Sequence, residues 1–192
     1  MNVPKLMCAD LVFFSDDSAV SRVIRWFTRA KGEERTRASH VGQMVDPEHI
    51  GEELSTCKIH PLGPRLQGGW REIWRHRALN DDGRRVIREK WLQARGAWYG
   101  WWKNLTAAGD GLLGKVFGGN PRIFRRAGFT KERTNCSGRV GLNTAPGLVA
   151  SKFPVRLGAF GMRAGTETPD NIHDYCVAHP GEWELIWKSE EN

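Results

Sequence analysis

Long apolar runs are missing from this chain of 192 residues. A membrane-spanning helix needs about 20 consecutive apolar residues, and no run here is longer than that of Leu11 to Phe14, which is strand-sized. The N-terminus lacks the apolar core of an export signal, because Lys5 and Asp10 bracket too few apolar residues. Cys8, at the end of Lys5-Leu6-Met7-Cys8, has the outline of a lipoprotein cleavage site, and the same missing core argues against it. The expectation is a cytoplasmic protein, unless it is released or delivered by a route that uses no signal. Cysteine is also scarce. The four, at positions 8, 57, 136 and 176, form no C-x-x-C pair, which removes zinc-ribbon and thioredoxin-type readings. Reduced thiols are expected, and the question becomes whether one is a nucleophile. No metal or cofactor is implied. Asp10, Asp16 and Asp17 read better as strand-end and cap residues than as a cation site. No repeat, low-complexity tract or linker divides the chain, and its length suits a single domain over residues 1–192.

Hydrophobic residues make up 40% and charged residues 27%. These are ordinary globular proportions, which exclude collagen, coiled coil and general disorder. Lys and Arg outnumber Asp and Glu 29 to 22, for a net charge of +7. That excess permits attraction to an acidic polymer or an anionic membrane face, although such charge is most often a solvated surface. No specific nucleic-acid partner is expected. Nine tryptophans are many for this length; they belong either to the core or to an aromatic-lined substrate groove.

Ala9 to Phe14 reads as a buried strand, short and rich in aromatic and β-branched residues. A helix follows, capped by Asp17 or Ser18, with Val20, Val23, Ile24 and Phe27 at helical spacing. His40 to Val45 reads as a second strand, Glu52 to Ile59 as a third and Arg71 to Leu79 as a fourth. Asn80 to Arg95 reads as a helix capped by Asp81 or Asp82, with Ile87, Trp91 and Ala94 on one face. Leu105 to Val116 suggests another, weakened by its glycines. Thr134 or Asn135 caps a helix that begins at Cys136 and stops before Pro146. Trp183 to Trp187 closes the chain as a strand. This order of elements predicts an α+β fold rather than a doubly wound sheet.

Cys136 is the most informative cysteine, because it stands at an expected helix N-terminus. There the helix dipole and free N–H groups favour a thiolate and can hold a developing oxyanion. A nucleophilic thiol also needs a base. His40 opens a strand, and Gly42, two residues on, lies on the same strand face and leaves room for a ligand. The histidines at 49, 60, 76, 173 and 179 read as surface residues. Spacing alone would not join Cys136 to His40.

The segments ADLVFF, SHVGQMV and NCSGRV resemble the three signature blocks of the NlpC-type cysteine peptidases, a family of papain-like fold whose blocks run roughly D-C-S-G-F-V, G-D-L-V-F-F, H-V-G-I-Y. Here the cysteine block comes last. That order is similar to the circularly permuted branch, which includes the lecithin retinol acyltransferase relatives, and catalytic geometry rather than residue order defines such a site. Weaker matches are Glu52-Glu53-Leu54 followed by Pro61-Leu62, Gly96-Ala97-Trp98-Tyr99, and a turn at Thr168-Pro169-Asp170. Ala9 departs from the family's glycine, Arg139 from a bulky acidic or aromatic residue, and Gly141 and Asn143 weaken the helix after Cys136.

The resemblance implies a papain-like, circularly permuted domain, an antiparallel sheet or half-barrel packed on helices, one of which starts at the nucleophile. Cys136 would attack a carbonyl carbon, His40 would carry the proton, and Glu52 would orient His40, with Glu53 as the alternative because a one-residue slip changes the strand face. Tyr99, Trp98, Gly42 and Ser137 would line the substrate site. The leading expectation is an amide hydrolase acting on a peptide, possibly a peptidoglycan-like cell-wall peptide. A second keeps the site but transfers or hydrolyses lipid acyl groups. A third is a non-catalytic basic binding module using Arg122, Arg125, Arg126, Lys131 and Arg133.

Overall fold

The computed structural model describes residues 4–15, 38–53, 56–97, 136–163 and 167–189. Six strands, β1 (Leu11–Ser15), β2 (His40–Met44), β3 (His49–Glu53), β4 (Cys57–Pro61), β5 (Trp70–His76) and β6 (Trp183–Lys188), form one sheet in the order β4-β3-β2-β1-β5-β6. Every neighbouring pair is antiparallel. Three described helices accompany it: α1 (Asp81–Ala94), α2 (Cys136–Ala150) and α3 (Pro169–Ala178). The architecture is α+β.

Side-chain alternation divides the core in two. Leu11, Phe13, Val41 and Trp74 meet Ile87 and Trp91 of α1, Val140 and Leu148 of α2, and Ile172 and Cys176 of α3. The opposite face carries a smaller cluster, in which Val12, Phe14, Met44, Ile50 and Ile73 are closed over by Leu6 and Leu62. A short 3-10 turn, Gly63–Leu66, follows Leu62 on that side and carries Arg65.

Several sequence expectations change. The strand expected over Glu52 to Ile59 is two strands, because the chain reverses and Glu53 pairs with Cys57. Asn80, not Asp81 or Asp82, caps α1 by accepting from the Gly83 N–H at 3.0 Å; the two aspartates fall in the first turn, where the dipole favours them. Helix α2 runs through Pro146 to Ala150. Proline removes one N–H, leaving the Leu142 carbonyl without a helical donor, and Leu142 lies on the exposed side of the helix. The Thr168-Pro169-Asp170 segment opens α3, with Thr168 accepting from the Asn171 N–H.

Helix α1 crosses α2 at a glycine contact. A Cβ on Gly147 would stand 2.8 Å from the Gly83 carbonyl oxygen and 2.5 Å from Ile87, so the backbones approach as only glycine permits. Gln43 joins the layers: it accepts from the Trp91 indole at 2.9 Å and donates to the Thr144 hydroxyl at 3.0 Å. Ala9 sits in the left-handed region, at φ 74°, just before β1. This is the position where the resembled family has glycine, which adopts that conformation without penalty.

The expected helix over Val20 to Phe27, the Leu105 to Val116 segment, the 122–133 basic cluster, Thr134, Asn135, Trp98 and Tyr99 lie outside the described residues. Among the described residues, no helix is long and apolar enough to cross a membrane. Cys8, Cys57, Cys136 and Cys176 are all free thiols.

Candidate active site

Three elements bring Cys136, His40 and Glu52 together. Cys136 is the first residue of α2, whose first turn contains no acidic side chain to offset the helix dipole. His40 is the first residue of β2. Glu52 lies on β3, and the alternation of the two strands puts it on the same face as His40 and Gly42. Gly42 has a different use from the one its spacing suggested. A Cβ there would meet Ile50 at 2.6 Å and the Glu52 side chain at 2.8 Å, so the space it leaves is filled by protein rather than by a ligand. The absent side chain is what lets the Glu52 carboxylate reach the imidazole.

The Glu52 carboxylate has no exposed surface, and three basic side chains meet it. His40 Nε2 is 2.8 Å from Oε1 and His60 Nε2 is 2.7 Å from Oε2. Arg65 donates from Nε to Oε2 and from Nη2 to Oε1, both at 2.9 Å. The two imidazole contacts have hydrogen-bond length, with ring N–H directions less well aligned than those of the guanidinium. Burial pushes the Glu52 carboxyl upward, but the bonds from His40 and His60, the His40 charge and Arg65 together hold it well below the usual carboxylate range. With Nε2 on Glu52, Nδ1 is the ring nitrogen left for the Cys136 sulfur.

The thiol and imidazole shift each other. Burial raises Cys136, yet the His40 charge, the His40 hydrogen bond and the backbone N–H groups of Val41 and Ser137 outweigh it and bring the thiol below its ordinary value. Burial lowers His40, and its contacts with Cys136 and Glu52 more than reverse this. Both directions favour a thiolate–imidazolium pair. The other thiols go the opposite way: burial pushes Cys8 and Cys57 up to about 11 and raises Cys176 well above its ordinary value. Phe14 backs the His40 ring at 5.7 Å between centroids, and it is itself faced by the guanidinium of Arg65 at 4.8 Å.

The remaining expected site residues are elsewhere. Glu53 points away from His40, and its Oε1 accepts from Arg139 Nε at 2.7 Å. That pair also accounts for the arginine at a position where the resembled family differs. Ser137 is fully buried and donates to the Glu167 carbonyl at 2.6 Å, so it ties α2 to the segment before α3 instead of lining a cleft. Gly141 stands inside α2 where the Glu167 carboxylate occupies the space a Cβ would need, which accounts for glycine there despite its low helix propensity. Asp10 is held by Arg75 Nη2 at 2.6 Å and by the Met7 N–H at 2.8 Å.

His60 and Arg65 are functional neighbours that the sequence pattern does not single out: His60, expected at the surface, keeps only 27% of its side chain exposed and meets Glu52, as does Arg65. Nor are His76 and His173 surface residues: His76 is buried against Phe153 and Trp183, and His173 reaches Glu72 at 2.9 Å under Trp70 and Trp74.

No protein-family model matches the chain, and no curated protein matches it significantly. Among solved structures, the fold is similar to that of the metalloprotein yiiX from Escherichia coli, with a TM-score of 0.58 at 13% identity, over 97% of this chain and 99% of that one. A likeness at that identity is one of fold.

Proposed function

We propose that this protein is a thiol hydrolase of the circularly permuted, papain-like NlpC type, cleaving an amide bond with Cys136 as nucleophile, His40 as proton carrier and Glu52 as orienting carboxylate. The observation that carries this reading is the contact sequence thiol, imidazole, carboxylate, drawn from three separate elements, with the thiol and the carboxylate buried and the imidazole half-buried between them.

The chemistry follows from the protonation states. The Cys136 thiolate forms a bond to the carbonyl carbon, and the negative charge passes to the carbonyl oxygen near the N-terminus of α2, where backbone N–H groups favour it. Collapse breaks the C–N bond as the His40 imidazolium protonates the departing amine, leaving an acyl-thioester. Neutral His40 then takes a proton from water, the resulting hydroxide attacks the thioester carbon, and the C–S bond breaks, so that the carboxylic acid departs and the Cys136 thiolate is restored beside the His40 imidazolium. Throughout, Glu52 holds Nε2 and stabilises the positive ring, as the buried carboxylate of a triad does.

A metal ion does not fit this donor set, whatever yiiX holds. Both oxygens of Glu52 already accept from Arg65, and among the described residues no group of three or more His, Cys, Asp or Glu is arranged to hold one.

The net charge of +7 suits an anionic wall polymer carrying the peptide and an anionic membrane face alike. The test is incubation of the wild type and Cys136→Ala with cell-wall muropeptides and, separately, with phospholipid vesicles, with mass analysis of products and of the acid-quenched protein. New amine ends and an acyl adduct on Cys136 are expected from muropeptides. Ester cleavage in vesicles alone would assign the site to acyl transfer from lipids. No turnover of either, with polymer binding unchanged in Cys136→Ala, would leave a binding module.

A further inference from the structure

We infer that the buried Glu53–Arg139 pair positions the nucleophile, so that the adjacent residues Glu52 and Glu53 set the two halves of the thiol–imidazole pair from opposite faces of one strand. The inference rests on the reading of Cys136 as nucleophile.

Strand alternation sends neighbouring side chains to opposite faces. On β3 this gives Glu52 to the imidazole and Glu53 to helix α2. The Glu53 side chain is wholly buried, and Arg139 Nε meets it at 2.7 Å with only 16% of the arginine side chain exposed. Arg139 lies three residues after Cys136, a helical rise of about 4.5 Å. The pair therefore holds the same turn of α2 that presents the sulfur.

Further along α2, Gln43 of β2 donates to the Thr144 hydroxyl at 3.0 Å. The helix is thus tied to β3 close to Cys136 and to β2 farther away. Two ties on different strands fix its tilt over the sheet, and with it the distance from the sulfur to a ring anchored on β2 and β3. Proton transfer and attack are sensitive to that distance, since a misplacement of about 1 Å can cost roughly 10²-fold in rate.

Stability alone is a weak account of the pair. A buried ion pair loses its hydration, and an apolar pair of similar size often serves the fold as well. Nor does the arginine act mainly through its field. The groups that chiefly pull the Cys136 thiol down are His40 and the N–H groups of Val41 and Ser137. Placement is what remains for it to supply.

The test uses full-length Glu53→Gln, Arg139→Lys and the double variant Glu53→Met/Arg139→Met. Two quantities are measured: thermal melting, and the rate of Cys136 alkylation by iodoacetamide from pH 4 to 10. The double variant should melt within a few degrees of the wild type, while alkylation near pH 7 falls about tenfold or more and its acid limb moves to higher pH. Arg139→Lys, which keeps the charge on a differently shaped head, should fall between the two. A double variant with a native melt and an alkylation profile superimposed on the wild type would overturn the inference and leave a structural tie. If the double variant does not fold, Glu53→Gln decides on the same criterion, a displaced profile supporting the inference and a superimposed one ending it. A wild-type Cys136 that alkylates no faster than Cys8 would instead overturn the nucleophile reading, and this inference with it.

Discussion

His60 Nε2 lies 2.7 Å from Glu52 Oε2, across the same carboxylate whose other oxygen holds His40 at 2.8 Å. One buried acid therefore serves two imidazoles, of which only His40 also touches the thiol. The bond to Glu52 raises His60 above its ordinary value, ahead of a smaller lowering by burial and by Arg65. A raised histidine stabilises the fold fully below its unfolded value, about pH 6.5, and that contribution is lost as pH rises through the folded value. His60 keeps 27% of its side chain exposed, so solvent screening limits the effect to about 1 kcal/mol or less. An NMR titration should find the His60 ring above the ordinary range in the wild type and returned toward it in Glu52→Gln. An unshifted His60 in the wild type would remove it from the cluster.

Glu52 itself predicts the opposite slope. Its carboxyl is depressed in the fold, chiefly by the two histidine bonds acting against burial. A depressed acid contributes stability above its unfolded value, about 4.3, and the contribution disappears as pH falls toward the folded value. Urea midpoints of the wild type should therefore decline from about pH 5 downward. Those of Glu52→Gln should start lower at pH 7, because His60, His40 and Arg65 lose a buried counter-charge, and should fall less steeply in acid. Parallel curves would mean that the carboxylate is not ionised as described.

How much of this site could be read in advance differs from residue to residue. Local context singles out Cys136 at a helix start and His40 opening a strand, but only the resemblance of their blocks to the NlpC-type signatures joins the two and adds Glu52. The choice between Glu52 and Glu53 was open because it depends on register, which only the Met44–Ile50 and Gln43–Gly51 pairings settle. His60 was hidden by one misplaced boundary. With Glu52 to Ile59 taken as a single strand, His60 fell at its end; with the chain reversing between Glu53 and Cys57, Lys58 faces Glu52 and His60 shares that face. Arg65 and the Glu72–His173 contact are tertiary pairings with no local signature. The same is true of Pro146, whose interruption of α2 was expected from local rules and overridden by packing.

That packing is itself testable at Gly147. Alanine is ordinarily the better helix former by about 1 kcal/mol. Here its methyl would be driven against the Gly83 carbonyl oxygen and Ile87. Backbone cannot yield as a side chain tip does, and overpacking of this kind costs roughly 1–3 kcal/mol. Gly147→Ala should therefore lower the melting temperature, by about 2–4 °C for each kcal/mol in a chain of this size. A raised melting temperature would show that helix propensity outweighs the contact and that α1 and α2 are less closely apposed.

The thiolate–imidazolium pair predicts both the selectivity and the pH range of the site. Cys136 lies below the ordinary thiol value, whereas burial lifts Cys8 and Cys57 to about 11. At pH 7, limiting iodoacetamide should modify Cys136 first, and peptide mapping would reveal equal labelling if the thiol were not activated. Turnover should then be bell-shaped, since attack needs the thiolate and departure of the amine needs the protonated ring. Its acid limb reports Cys136, placed below the ordinary thiol range by His40 and the Val41 and Ser137 N–H groups acting against burial. Its alkaline limb reports His40, placed above the ordinary imidazole range by Cys136 and Glu52. In Glu52→Gln the ring loses its counter-charge but keeps the thiolate beside it, so the alkaline limb should move toward acid and the maximum should fall, by roughly 10⁴-fold if the carboxylate acts as in other triads. An alkaline limb unmoved by that substitution would show that Glu52 does not govern the protonation of His40, and the assignment of its role would fail even if Cys136 proved to be the nucleophile.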